Sequence, residues 1–359
     1  MKKGNFYITG LLAMMMVCGL ILNGCALFSR LFGKAAPEEE AIDVASFTNR
    51  AMLQAVSRIT DDGMPKTDPI VSPDGTKLLY CETKTVKDTD TGLETTSSDI
   101  VMLRNVNSSN SSVLKSPLVT TGNAFTPGWY EDSTRYLYSF YENNNRRIVR
   151  STSAGGGRTN ITRNPVGRYD QNPRIIKGVI LITTRERDGG MWTIYSMRDS
   201  GSEVTRLVEG YDPAWHPTEL KFLYVKGSPS AIWEMDMTTM QETQLYERPY
   251  SMRRPQYTYD GSHIVFQRRS EQVVTGTQVT TTTTSGKQSR TRTNTAGTER
   301  RWQLYLLNVE NLQESVLTEG NVDCTYPSLD QYNNLFFISN ATGVRANKTE
   351  IYKARLNFE

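Results

Sequence analysis

One motif recurs six times along this chain: a proline shortly before a turn, an apolar run ending in an aromatic residue, a polar loop, then an isoleucine or leucine opening a second alternating run. The prolines are Pro69, Pro127, Pro173, Pro213, Pro255 and Pro327, and the later anchors are Ile100, Ile148, Ile194, Ile232, Leu304 and Ile351. A strand-rich unit repeating every ~40 to 50 residues marks blades arrayed around an axis. The expected fold is therefore all-β, a six-bladed β-propeller.

The repeat at Pro213 shows how one blade is spelled. Pro213-Ala214-Trp215 starts an inner strand and His216-Pro217-Thr218 turns it. Leu220 to Val225 is a second run, Ile232 to Met237 alternates as a third, and Glu242 to Tyr246 supplies a fourth. Two longer spacings, after Pro69 and after Pro255, are absorbed by polar insertions at residues 82–98 and 270–300. The last repeat ends at its third strand, Ile351 to Leu356, while Val56 to Gly63 resembles the other outer strands. The amino-terminal strand is therefore expected to complete the last blade and remove an open edge.

The first residues read as an export signal: Lys2 and Lys3 precede an apolar stretch from Ile8 to Leu22 that is short for a spanning helix. Leu22-Asn23-Gly24-Cys25 resembles a bacterial lipobox, which implies cleavage after residue 24, acylation of Cys25 (palmitate among the acyl chains) and a lipid anchor. Ala26 stands where an inner-membrane retention signal has Asp, so the resemblance implies the outer membrane, most simply its periplasmic side. The expected division is a signal peptide at 1–24, a lipidated tether at 25–52 and a propeller at 53–359. Without residues 1–24 the formal charge falls from +3 to +1, which argues against a nucleic-acid partner held by field alone. Cys81 and Cys324 remain in the folded body; they lie on diverging inner regions of adjacent blades and are expected as two free thiols.

Ser72-Pro73-Asp74-Gly75, Arg187-Asp188-Gly189 and Ile194-Tyr195-Ser196-Met197 carry a resemblance to the TolB family, whose propeller has a Ser-Pro-Asp-Gly turn, an Arg-Asp-Gly loop and an Ile-Tyr-x-Met strand. The resemblance covers residues 53–359. It implies the propeller fold and, because TolB binds the Pal lipoprotein, a recognition face built from the channel mouth and the outer-to-inner strand loops. The positions matching that face here are Asp68, Gln171, Asp212, Arg254 and Tyr326.

Residues able to run an enzyme are scarce. No Gly-x-Ser-x-Gly elbow occurs, and the two histidines, His216 and His263, fall at ordinary turn and strand-start positions, so neither a catalytic set, a metal site nor a cofactor is expected. Asp88-Thr89-Asp90-Thr91-Gly92-Leu93-Glu94 opens like a calcium loop but lacks the distal Glu, and a polar hairpin tip is the better reading. The stretch from Arg268 to Trp302 carries seven Lys/Arg against two Glu, a solvated hairpin extension or a basic arm for an acidic partner. Of the five tryptophans, Trp129 and Trp215 lie on inner strands and can approach the channel. The reading is an envelope lipoprotein acting as a protein-interaction scaffold. The alternatives are a carbohydrate-active or hydrolytic propeller enzyme, or a structural subunit of a larger envelope complex.

Overall fold

Six four-stranded antiparallel sheets account for almost every strand, in a computed structural model that describes residues 43–87, 94–108, 112–275, 279–285, 288–294, 298–342 and 348–358. Their inner strands are Lys66–Val71, Ala124–Trp129, Gln171–Ile176, Tyr211–Trp215, Met252–Tyr257 and Cys324–Leu329, one for each repeat proline. The six-bladed propeller expected from the repeat is the observed fold. Blade 6 is completed by Leu53–Arg58, which pairs antiparallel with Glu350–Leu356 in the register Leu53 to Leu356 and Arg58 to Tyr352.

The core is not central. It consists of six buried clusters, one at each junction between neighbouring blades. Leu79, Cys81, Ile100 and Met102 of blade 1 meet Tyr136, Tyr138 and Val149 of blade 2. On the other side of the same sheet, Leu78, Tyr80 and Val101 meet Phe336, Ile338 and Ile351 of blade 6. Successive side chains point to opposite faces of a strand, so an unbroken run such as Leu78-Leu79-Tyr80-Cys81 is what a sheet buried on both sides requires. The four remaining junctions repeat the pattern and close the ring.

The clasp carries a buried ion pair. The Lys66 ammonium, with no side-chain exposure, lies 3.0 Å from the Glu350 carboxylate and also donates to the carbonyls of Met64 (2.8 Å) and Thr349 (3.1 Å) and to Asp62. Glu350 further accepts from Thr60 Oγ1 at 2.5 Å and from the Gly63 amide at 2.6 Å. These bonds tie the segment after the amino-terminal strand to the last blade and the first blade together.

Both insertions extend the connection between strands two and three. Lys77–Lys87 continues in register with Glu94–Arg104, and His263–Thr275 with Thr298–Asn308, beyond which Val279–Ser285 and Gln288–Asn294 form a separate two-stranded sheet. The calcium-like residues 88–93 lie outside the described residues. The chain enters Leu53–Arg58 from the face opposite the insertions. Just upstream, however, it runs the other way: Thr48 bridges Thr318, the Phe47 carbonyl accepts from Glu319, and Ser46 lies against Gly320 in the blade 5 to 6 connection on the insertion face. Residues 43–52 thus pack on the propeller through the buried Phe47, and Cys25 lies outside the described residues.

Candidate functional site: the channel and the insertion-side face

Each repeat proline breaks its inner strand in the same way. The preceding residue has positive φ in all six blades: Asp68 (52°), Thr126 (45°), Asn172 (52°), Asp212 (56°), Arg254 (54°) and Tyr326 (54°). At each of these points the pairing with strand two skips a residue, a β-bulge. Proline is tolerated there because an inner strand has a free edge toward the axis and no ladder partner for the missing N–H. Asp and Asn adopt this conformation at small cost, whereas Thr, Arg and Tyr do so only where surrounding structure imposes it.

The six bulges bring their residues together across the channel. Arg254 donates through one terminal nitrogen to Asp68 Oδ1 at 2.5 Å and through the other to Asn172 Oδ1 at 3.1 Å. Its backbone amide donates to Asp212 Oδ2 at 3.2 Å, and its guanidinium lies 5.1 Å from the centre of the Tyr326 ring. Asn172 Nδ2 donates to Asp212 Oδ1 at 3.1 Å, and the Asn172 amide donates to Thr126 Oγ1 at 3.1 Å. One cation from blade 5 thus reaches blades 1, 3, 4 and 6. Burial opposes the charge on Arg254, but Asp68 and Asp212 outweigh it and drive its pKa upward. Burial followed by the nearby Arg254 lowers the partly buried Arg174, beside this network, to about 10. Burial, and then the Asp68 charge, pushes the Tyr326 phenol up to about 12.

Four of the five positions expected at the partner face, Asp68, Asp212, Arg254 and Tyr326, belong to this network. The fifth, Gln171, stands one residue before Asn172, the blade 3 member of the network, and its Oε1 accepts from Arg146 at 2.9 Å. Thr126 of blade 2 was missed. Both were marked by standing directly before Pro127 and Pro173.

Asp212 and Arg254 line a cavity on each side of the waist. The one toward the strand 1–2 turns, about 220 Å³, is walled by Pro69, Pro213, Pro255, Pro327, Trp129 and Trp215. Trp129 and Trp215 do reach the channel, and their indole nitrogens donate to the carbonyls of Ile70 (2.9 Å) and Arg174 (3.1 Å) on the preceding blade. The other cavity, about 490 Å³, opens on the insertion side between Arg253, Gln267, Trp302, Asp323 and Thr325.

The remaining candidates are structural. Nδ1 of His216 accepts from the amides of Thr218 and Glu219, capping its own turn, and burial lowers the pKa of the ring. His263 stacks on Phe358 with ring centres 4.7 Å apart. Cys81 and Cys324 are buried free thiols, as expected; burial raises both, Cys324 to about 12, so neither is a ready nucleophile. Among the described residues no group of three or more His, Cys, Asp or Glu side chains is arranged to hold a metal ion.

This architecture defines the class: a six-bladed propeller with a bridged, arginine-filled channel. Its fold is that of the TolB-type propellers. It superposes on a TolB from Agrobacterium tumefaciens with a TM-score of 0.52 at 14% identity, covering 84% of this chain and 97% of that one. TolB from Acinetobacter baumannii matches at 0.49 and 14%, covering 79% of this chain, which spans 65% of that protein's length. A gluconolactonase from Xanthomonas campestris shares the fold equally well, at 0.50 and 13%, with 88% and 94% covered. No family model and no curated protein sequence matches the chain.

Proposed function

We propose that this chain is an envelope lipoprotein, anchored through Cys25 to the outer membrane, whose propeller is a protein-binding scaffold and not an enzyme. One observation carries the reading: Asp68, Asp212 and Arg254, which converge in the channel, are bonded to one another, and Arg174 beside them is held by the carbonyls of Pro127 and Pro173. A general acid or base needs a proton-transferring group within reach of a substrate, and here the polar centre is spent on joining blades. What is left for recognition is the loop-built face around the insertion-side mouth, where a rigid ring presents side chains from several blades. The fold itself does not decide between binding and catalysis, since a gluconolactonase shares it.

The test is made in cells. Full-length protein is labelled with a palmitate analogue, crosslinked in intact cells and analysed by mass spectrometry, beside Cys25→Ser. The expected result is label that disappears in Cys25→Ser, together with crosslinks from the propeller to another envelope protein. Absence of label, or recovery of self-links alone, overturns the reading.

A further inference from the structure

We propose that the insertion-side face carries a second recognition site, a groove between blades 3 and 4 that takes an extended peptide segment with a large apolar side chain next to a carboxylate. It rests on the scaffold reading and names the chemistry of the partner. Two adjoining hollows make the groove and share Gly190 and Met191. The first, about 510 Å³, is floored by Trp192, Tyr211, Pro229 and Trp233. Met191 stands at its lip with 70% of its surface exposed, more than any other large apolar side chain among the described residues. An aromatic floor with an exposed methionine is the composition of a surface that accommodates varied apolar anchors.

The second hollow, about 250 Å³, is lined by Arg185, Arg187 and Arg206 against Glu186. At the apolar end Lys226 pairs with Glu242 and Arg206 with Glu209 at 3.2 Å, while the Glu247 carboxylate accepts from the neutral Gln244 at 2.9 Å. Arg185 and Arg187 have no ion-pair partner among the described residues. Arg185 lies between Tyr169 and Trp192, its guanidinium carbon 4.8 and 4.7 Å from the ring centres, and its Nε is buried without a hydrogen-bond partner. A guanidinium fixed by stacking, desolvated at one nitrogen and facing a hollow is a preorganised carboxylate receptor. The order of the hollows sets the order of the ligand, apolar anchor beside acid.

The probe is a displayed library of random 12-residue peptides, selected on the purified full chain. The expected outcome is a consensus with Trp, Phe, Leu or Met within about three residues of Asp or Glu. A synthetic consensus peptide then binds Met191→Asp and Arg187→Gln at least about ten-fold more weakly. Affinity for Tyr259→Asp, on the opposite face, is unchanged, and all variants melt with the parent. No consensus, a basic consensus, equal binding to the groove variants, or binding of polygalacturonate in place of peptide overturns the inference. Because the selection uses purified protein, its result is separable from the result in cells: crosslinked partners with no consensus remove only the groove.

Discussion

Arg254 holds the middle of the ring by being in the wrong conformation for an arginine. Its positive φ, 54°, turns the side chain off the strand and across the axis, where two aspartates neutralise it. A buried charge of this kind is worth little as a pair but costly to strand. Arg254→Leu leaves Asp68 and Asp212 facing each other, and the expected loss is about 3 kcal/mol in urea unfolding. Adding Asp68→Asn and Asp212→Asn to that variant recovers most of it. A single variant within about 0.5 kcal/mol of the parent contradicts the role given to the network. At this scale the sequence was readable where a covalent constraint spoke: the six prolines mark six bulges. At blade 3 the network takes Asn172 and not its neighbour Gln171, because which residue of a bulge points inward depends on φ, and Asn172 gives no sign of that beyond preceding a proline.

Among the elements, the amino-terminal strand matters most, since it pairs with a strand about three hundred positions away. Its signal in sequence was similarity to other outer strands, which survives any length of intervening chain. The mixed segment around Ile42 to Phe47 reads as a short helix, and Val44–Ser46 forms a 3-10 turn there, but nothing in it tells that Phe47 docks back on the propeller. The groove between blades 3 and 4 was equally hidden: Met191 and Pro229 come from two loops and Tyr211 from the start of an inner strand, which only the packed ring brings together. The clasp yields its own prediction. Lys66→Met leaves Glu350, with 2% of its side chain exposed, without its buried cation, and the unfolding free energy falls by about 3 kcal/mol. Lys66→Met with Glu350→Leu is less destabilised than Lys66→Met alone. If the double variant is the worse of the two, the pair contributes more than its desolvation costs and the account of the clasp is incorrect.

As a whole, the molecule has two unlike faces. One carries the outer-to-inner loops, the two insertions and the groove with its arginines. The other carries the short strand 1–2 turns, tied by their own aspartates. Burial would raise the carboxyls of Asp74 and Asp132, but hydrogen bonds from turn residues, with Lys77 and Arg135, hold both near 2. Such turns are self-contained; they surround a hollow of about 590 Å³ and expose Leu220, Tyr259 and Tyr332, whereas the insertions and Arg185 and Arg187, without an ion-pair partner among the described residues, stand on the first face. The scaffold reading therefore has a direction, and a positional comparison tests it most directly. A benzophenone amino acid is placed, in living cells, at Lys84 or Arg253 on the insertion side and at Tyr259 or Tyr332 on the other. Adducts to another envelope protein from Lys84 or Arg253, and none from the two tyrosine positions, are the predicted result. Adducts from Tyr259 and Tyr332 alone, or from no position, contradict it.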